Sequence, residues 1–189
     1  MKLIKSNKGL TLLELIVSFA LLGIVSAAVV GLVSTGAGTY RSVNTEVSLQ
    51  YESQLTMNQF EEYLVDCNGG ICWDSTNKTL YAADTDESGT ITVYRFQQTG
   101  DQLYYSSGTV TGSTCTFGDN YLMCSYVDSF GAALSTAKKG SRNLCTACTV
   151  TLTLQLGSRS YTARQNITMR NPALTASGLD AMTAAVAAD

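Results

Sequence analysis

The chain has 189 residues, enough for one domain or two small ones, and its apolar content of 45% supports a packed core. It contains no histidine, which excludes Ser-His-Asp catalysis, Cys-His proteases and histidine-ligated metals. The formal charge of −3 excludes nucleic-acid binding by bulk positive charge, and the charged fraction of 14% lies well below the ~25% typical of soluble domains.

A short basic leader precedes a long apolar segment. Three lysines lie in residues 1–9, and residues 10–33 carry one charge, that of Glu14. A helix over that segment is ~36 Å long, which exceeds the ~30 Å hydrocarbon core of a membrane. The positive-inside rule predicts that the leader stays in the cytoplasm and that everything after the segment is exported.

A cleaved secretory signal is the alternative interpretation, with Ser26-Ala27-Ala28 as its cleavage site. Two features disfavour it. The apolar run is longer than the ~7–15 residues of a signal peptide. It also contains Glu14, and inserting a carboxylate into a bilayer costs ~3 kcal/mol of free energy on insertion scales. A carboxylate in this segment therefore indicates a functional role.

The sequence KGLTLLELI at positions 8–16 resembles the prepilin signature of type IV pilins and type II secretion pseudopilins. That family most often has Phe after the glycine, where this chain has Leu10. The resemblance implies cleavage after Gly9 by a membrane prepilin peptidase, which would also N-methylate Leu10. Losing the three leader lysines leaves 9 of the 12 basic residues against 15 acidic ones, a net charge of −6.

Glu14 has a physical role in that interpretation. Cleavage creates an α-amino charge at Leu10, and an unpaired charge in a water-free bundle of apolar helices costs several kcal/mol. Glu14 lies about one turn from that end, where it can neutralise a neighbouring subunit's amine and also suits the positive end of its own helix dipole. This matches the assembly role that the family assigns to that glutamate. The alternative is a helix-capping carboxylate without a partner.

The helix is predicted to continue over residues 34–66. Gly36 and Gly38 are the points where it is expected to bend or melt. Polar residues alternate with an apolar stripe at i, i+3 and i+4 spacing, which predicts one face packed on a head domain. The stripe consists of Tyr40, Val43, Val47, Tyr51, Met57, Phe60 and Leu64.

A β-rich head is predicted over 67–172, opening with a turn at Cys67–Cys72 that closes the helix. Alternating patterns predict strands at 78–82, 90–96, 102–106, 121–127, 149–156 and 160–169. Asn171-Pro172 is expected to end the last strand. The fold class is therefore α+β, a long N-terminal helix on an antiparallel sheet, which is also the pilin architecture. The alanine-rich tail, 173–189, is expected to be disordered, with a short helical stripe (Leu179, Met182, Val186) as the alternative.

Six cysteines follow the apolar segment, and an exported head would allow them to form disulfides. Six cysteines permit 15 pairings, which sequence alone does not resolve. Local pairing is the simplest hypothesis: Cys67–Cys72, Cys115–Cys124 and Cys145–Cys148.

The last pair is also a CxxC motif, which raises two alternatives. A thioredoxin-like redox site would place the motif at the start of a helix, whereas here it precedes a predicted strand. A zinc site would need reduced thiolates, which an oxidising compartment disfavours.

A calcium site is a weaker candidate. Asp84, Asp86 and Ser88 follow the opening positions of an EF-hand loop, D-x-D-x-S-G-x-I. The twelfth position, normally glutamate, is Arg95, and no flanking helices are predicted. The alternative is an acidic turn between two strands, with no cofactor.

The resemblance implies a structural, non-enzymatic subunit of a pilus-like or secretion filament, held in the plasma membrane by one span before it enters an extracellular filament. Its partners would be other pilin or pseudopilin subunits, prepilin peptidase, the inner-membrane assembly machinery and the lipid bilayer. The head is similar to those of J-type minor pseudopilins and W-type minor pilins. Two other classes compete: a membrane-anchored binding module or adhesin that does not polymerise, and a disulfide oxidoreductase that uses Cys145 and Cys148.

Overall fold

The computed structural model describes residues 11–112, 114–140 and 142–188. The predicted leader at 1–9 and the predicted processing residues Gly9 and Leu10 lie outside these ranges. The chain divides into two compact units, Met1–Asn44 and Thr45–Asp189. In the described part, the first unit consists of Thr11 and the following helix as far as Asn44, and the second contains the rest of that helix and the head.

Two helices and nine strands occur in the described residues. In chain order they are α1 Leu12–Val65, β1 Gly70–Asp74, β2 Thr79–Thr85, β3 Ile91–Thr99, β4 Gln102–Thr111, β5 Thr114–Phe117, β6 Tyr121–Ser125, β7 Val127–Lys139, β8 Arg142–Leu156, β9 Arg159–Thr175 and α2 Leu179–Ala187. The predicted α+β class, a long N-terminal helix on a mostly antiparallel sheet, is confirmed.

α1 is helical throughout its 54 residues. It continues through Gly36 and Gly38, the two positions where a bend or a melted turn was expected. No proline interrupts the run, and glycine costs only ~1 kcal/mol per position in a helix, so two glycines are too weak to end it. The helix stops at Val65, just before the Cys67-Asn68-Gly69 segment that leads into β1.

One face of α1 enters the core of the head through Leu49, Ser53, Thr56, Met57, Phe60 and Leu64. The predicted inward positions Met57, Phe60 and Leu64 are confirmed, and none is more than 2% exposed. Two small polar residues complete this face, and their hydroxyl groups donate to the backbone of their own helix: Ser53 Oγ to Gln50 O and Thr56 Oγ1 to Glu52 O.

The inward prediction for the first half of the stripe was wrong. Tyr40, Val43, Val47 and Tyr51 are 53–73% exposed, and Leu55 beside them is 47% exposed. The buried face uses small polar residues where the pattern favoured large apolar ones. The apolar stripe therefore follows a different side of the helix and remains uncovered in the single chain.

The strands form one sheet in the order β5-β4-β3-β2-β1-β9-β8-β7, with β6 also paired to β4. All pairings are antiparallel except that of β1 with β9, where Gly70 pairs with Leu174. β1 lies partly within the segment that was predicted to be only a turn. Its parallel pairing with the last strand joins the two ends of the head, which a local pattern does not reveal.

The strand β9 does not end at Asn171-Pro172, as predicted, but continues to Thr175. Its register with β8 shifts from Ala147↔Thr168 to Cys145↔Ala173, so that residues 169–172 bulge out of the ladder. Proline has no N–H to donate, and a bulge is one of the few places in a sheet that tolerates it.

The main core lies between α1 and the sheet and is centred on aromatic rings. Phe60 of α1 packs 4.8 Å from Phe96 and 5.5 Å from Phe130, measured between ring centroids. Tyr63, one turn later, stacks on Tyr105 at 4.7 Å. Such pairs add ~0.5–1.5 kcal/mol each beyond the burial of their apolar area.

The C-terminal tail forms the helix α2, so the expectation of a disordered end was wrong. Its stripe packs on the sheet face opposite α1: Met182 is fully buried and Val186 nearly so, against Ala83 and Val93. Gly70 permits the contact, because a Cβ there would lie 2.7 Å from Met182 Cγ. Two core clusters therefore occupy the two faces of the sheet.

Candidate functional site

Glu14 and Thr11 form a reciprocal cap at the start of α1. The backbone N–H and the hydroxyl of Thr11 both donate to Glu14 Oε2 at 3.1 Å, and the backbone N–H of Glu14 donates to Thr11 Oγ1 at 3.3 Å. This is a capping box, Thr-x-x-Glu, which satisfies backbone donors that have no partner within the helix. In the single chain Glu14 therefore acts as a helix cap, the alternative considered for it above.

Thr11 is the member of this site that the sequence interpretation missed. The signal that could have identified it is the S/T-x-x-E/Q pattern immediately before an apolar run. A carboxylate has about four acceptor positions on two oxygens. Both Thr11 bonds end on one oxygen, Oε2. Capping and pairing with an incoming amine are therefore compatible.

The N-terminal segment of α1 exposes an apolar surface along its length. Among the described residues, α1 is the one helix that is long and apolar enough to cross a membrane, with a mean hydropathy of 2.6 over its most apolar window and none of that window buried. The exposed large side chains are Leu12, Leu13, Leu15, Ile16, Val17, Phe19, Leu21, Leu22, Ile24, Val25, Val29, Val30, Leu32 and Val33.

Three hydroxyl groups within and just beyond this segment are satisfied inside the helix. Ser18 Oγ donates to Glu14 O at 2.7 Å, Thr35 Oγ1 to Gly31 O at 2.9 Å, and Thr39 Oγ1 to Thr35 O at 3.0 Å. Internal satisfaction of polar groups is what a hydrocarbon environment requires. The charge of Glu14 is then the principal polar feature of the apolar surface.

All six cysteines lie in the described part of the chain, and each is a free thiol. The Cys67–Cys72 hypothesis does not fit the fold, because Cys67 lies in the core on the α1 face and Cys72 in the cluster on the α2 face. The same separation applies to Cys115 on the α2 face and Cys124 on the α1 face. The α1-facing core contains Cys67, Cys124 and the third local pair, Cys145 and Cys148.

Burial makes these thiols poor nucleophiles. It raises the pKa of Cys67, Cys72 and Cys148 each to about 12 and that of Cys124 to about 11. It also raises the pKa of Cys145, which is fully buried. Redox-active cysteines need a lowered pKa and solvent access. The geometry therefore disfavours the oxidoreductase interpretation of the CxxC motif.

The reduced protein is expected to lose stability as the pH rises above 9. The folded state keeps Cys67, Cys72 and Cys148 protonated up to a pKa of about 12, whereas the unfolded chain ionises them near 9.0. The unfolded state thus releases protons first, and each thiol costs about 1.4 kcal/mol per pH unit across that window. At pH 10 the three together should cost about 4 kcal/mol, measured by urea unfolding of the full chain in detergent micelles with a phosphine reductant.

The matched control for this prediction is Cys148→Ala, which should reduce the pH-dependent loss between pH 9 and pH 10 by about 1 kcal/mol, the contribution of that one thiol. Comparing the two proteins at each pH cancels the contributions of the groups that they share. An identical pH dependence in both proteins would contradict the assignment of the loss to buried thiols.

The calcium candidate forms a tight turn between β2 and β3. Asp86 Oδ1 accepts the backbone N–H groups of Ser88 at 2.9 Å and of Thr90 at 2.8 Å, together with the Ser88 hydroxyl at 2.6 Å. These bonds, led by the Ser88 hydroxyl, lower the pKa of Asp86. Asp84 lies within β2, paired with Thr92.

Arg95, at the twelfth position of the candidate loop, lies over the Phe117 ring with its guanidinium carbon 4.2 Å from the centroid. It also donates to Ser106 Oγ at 2.9 Å and to Asn120 Oδ1 at 2.8 Å. Within the described residues, no group of three or more acidic or thiol side chains is arranged to hold a metal ion. The turn geometry accounts for Asp86 without a cation, and a calcium site stays a prediction.

Comparison with known families gives one match. The family model described as the prokaryotic N-terminal methylation motif matches residues 4–30. No curated protein and no solved structure matches the chain. The matched range contains the predicted processing residues, Glu14 and most of the apolar segment, so the chain carries this motif at the position that the sequence indicated. The type IV pilin and pseudopilin interpretation is thereby supported.

Proposed function

We propose that this protein is a minor structural subunit of a type IV pilus-like or type II secretion filament, similar to J-type minor pseudopilins and W-type minor pilins. One observation carries the proposal. The methylation motif at 4–30 continues directly into a helix whose apolar side chains are exposed and whose principal polar feature is the carboxylate of Glu14. A surface of that kind requires lipid or other helices to cover it.

Processing comes first in this proposal. Prepilin peptidase cuts after Gly9 on the cytoplasmic side and methylates the new N-terminus at Leu10. The chain is then held in the inner membrane by its single apolar span, with the head outside. The inner-membrane assembly machinery next moves the subunit from the bilayer into the filament, where it is displayed at the cell surface.

Assembly exchanges lipid for protein around α1. In the filament the exposed apolar segment packs against the helices of neighbouring pilin-like subunits. Glu14 forms an ion pair with the N-terminal amine of a neighbour, through the acceptor positions that Thr11 leaves open. A charge pair inside a low-dielectric bundle is costly to break once formed, since removing one partner leaves an unpaired buried charge. Register between adjacent subunits follows from that pairing.

The stripe of Tyr40, Val43, Val47, Tyr51 and Leu55 supports the same assignment. These side chains are 47–73% exposed and follow the apolar segment along the same helix. A subunit that remained a monomer would gain nothing from large apolar groups on that side. Contacts between neighbouring subunits therefore extend beyond the membrane segment, and the protein acts by assembling rather than by catalysis.

The mature protein is expected to begin with N-methylated Leu10. Cleavage after Gly9 and methylation together define a unique N-terminal peptide, which mass spectrometry of protein purified from membranes would detect. Gly9→Val should block cleavage and leave the full-length chain in the membrane, because the peptidase needs the small residue before the cut. An intact Met1 in the wild-type protein, or a start near Val29, would overturn the processing step.

A second function remains in competition, a membrane-anchored adhesin or binding module that does not polymerise. It is favoured by the capping box, which accounts for Glu14 without any neighbouring subunit. A filament subunit needs the charge of Glu14 to pair with a neighbour, whereas an anchored module needs only the cap. A variant that keeps the cap and removes the charge therefore distinguishes the two functions.

A further inference from the structure

Three thiols meet in the core beside the C-terminal end of α1. Cys67, Cys145 and Cys148 are each at most 1% exposed and belong to one buried cluster. They lie close enough for ionisation of one to raise the pKa of another. Cys67 is also held in place, with its Sγ 3.1 Å from Ala83 O and 3.3 Å from Gly70 O.

The parallel strand pair positions Cys67 next to β8. Gly69 O accepts the backbone N–H of Leu174 at 3.0 Å, and Leu174 pairs in turn with Leu144, the residue before Cys145. The chain leaving α1 therefore passes beside the start of β8, although the two segments are distant in sequence. Sequence spacing alone favours nearest neighbours and does not predict this contact.

An irregularity in β8 turns both of its cysteines to the same side. Residues three apart in a regular strand point to opposite faces. Register shifts at Ser135/Thr136 and at Cys145/Ala147 place Thr146 at a bulge, so that Cys145 and Cys148 are both buried in the α1-facing core. Three residues of extended chain span about 10 Å, whereas a disulfide requires its Cα atoms within about 7 Å. A bulge recovers only part of that difference, which disfavours a bond between these two.

We propose that Cys67 forms a disulfide with Cys145 or Cys148, which fastens the end of α1 to β8 and leaves the third thiol of the cluster buried and reduced. The proposal depends on the proposed export of the head, because that places the thiols in an oxidising compartment. The bond closes a long loop of the chain, and long loops stabilise a fold more than local ones in the chain-entropy model. It also ties the assembly helix covalently to the sheet of the head.

The oxidant is a disulfide of the exported compartment, either a dithiol–disulfide protein or glutathione disulfide. The thiolate of one cysteine attacks a sulfur of that disulfide, which forms a mixed disulfide and releases one thiol. The thiolate of the second cysteine then attacks the protein sulfur of the mixed disulfide and releases the other thiol. Two protein thiols lose two electrons and two protons, and the oxidant is reduced to two thiols. Because burial suppresses the thiolates in the folded state, the bond forms while the head is folding.

The remaining cysteines provide internal controls. Cys72 on β1 and Cys115 on β5 share the α2 face but are separated by three intervening strands, about 19 Å at the usual strand spacing. Cys124 on β6 belongs to the α1-facing core, but it pairs with Leu103 of β4, and four strands lie between β4 and β8 in the sheet order. None of these three thiols is expected to replace Cys67, Cys145 or Cys148 in a disulfide.

Peptide mapping tests the pairing directly. The purified full chain in detergent micelles is unfolded, refolded in a glutathione redox buffer, alkylated and cut with trypsin. Residues 42–78 hold Cys67 and Cys72, and residues 143–159 hold both β8 cysteines. The expected product is a cross-link between these two peptides that survives in Cys72→Ser and is lost in Cys67→Ser. A link that persists in Cys67→Ser, or bonds confined to Cys67–Cys72 and Cys145–Cys148, would overturn the proposal.

Two additions keep the result unambiguous. The single variants Cys145→Ser and Cys148→Ser both keep Cys67, and one of them should lose the link while the other keeps it, which covers the case in which Cys67→Ser folds poorly. The same digest on whole-cell membranes, trapped with acid before alkylation, separates pairing from export. A link found after refolding but not in cells supports the pairing and contradicts the proposed export. Absence from both samples overturns the pairing itself.

Discussion

Glu14→Gln is expected to abolish incorporation of this protein into filaments while leaving its membrane insertion intact. Glutamine also serves in a capping box, so the cap with Thr11 is kept and only the charge is lost. If Glu14 pairs with a neighbour's amine, its loss leaves that amine unpaired in the bundle at a cost of ~3–5 kcal/mol, which corresponds to at least ~100-fold less incorporation. Membrane insertion should be maintained or improved, because a neutral residue is cheaper to insert.

Two matched variants complete this test. Thr11→Val removes the capping hydroxyl and keeps the charge, so it should cost only ~1 kcal/mol and reduce incorporation by less than ~10-fold. Glu46→Gln removes an exposed carboxylate from the same helix beyond the apolar segment and should have no effect. The readout is the amount of the protein in sheared filaments relative to that in membranes. Equal incorporation of Glu14→Gln and wild type would favour the anchored binding module instead.

Phe60→Ala is expected to destabilise the head by ~3–5 kcal/mol, the usual cost of removing a fully buried aromatic ring. Phe60 has no exposed surface and contacts Phe96 and Phe130, so its loss opens a cavity between α1 and the sheet. The sole tryptophan, Trp73, lies edge-on to Phe130 at 5.3 Å and reports unfolding by its fluorescence. The measurement is urea unfolding of the full chain in detergent micelles.

Leu55→Ala is the control for the core prediction. Leu55 lies on the same helix but is 47% exposed, so its truncation should change the unfolding free energy by no more than ~0.5 kcal/mol. A comparable loss in both variants would mean that the stripe of Tyr40 to Leu55 is covered in the isolated protein. That result would contradict the assignment of this stripe to contacts between subunits.

Comparing Phe60 with Leu55 shows which property of α1 could not be predicted from the sequence. Apolar residues at helical spacing correctly indicated a long helix and the inward positions of Phe60 and Leu64. The same spacing pointed Tyr51 inward, although the face that meets the sheet includes Ser53 and Thr56. A helix with apolar residues on two sides has two candidate interfaces, and only the packed head shows which one the chain itself covers.

The C-terminal part of the chain shows a second limit of prediction from sequence. The alanine-rich tail has only three large apolar residues at helical spacing, and its helix α2 is stabilised by packing of Met182 on the sheet face at Gly70. In the same way β9 continues past Pro172 because β8 and β1 on either side accept a bulged partner. Both outcomes depend on neighbours distant in sequence, which no local window contains.

The sequence by itself determined the N-terminal methylation motif, the apolar helix with its single acid, and the change from helical to strand periodicity near Cys67, because each can be recognised from residues that are neighbours along the chain. Tertiary structure alone decided which face of α1 is buried, that the tail is helical, and which thiols meet. The buried face of α1 and the helical tail follow from packing on the two faces of the sheet, and the thiols meet through the parallel pairing of β1 with β9 and the irregularity in β8. Each of these contacts joins groups that are distant in sequence.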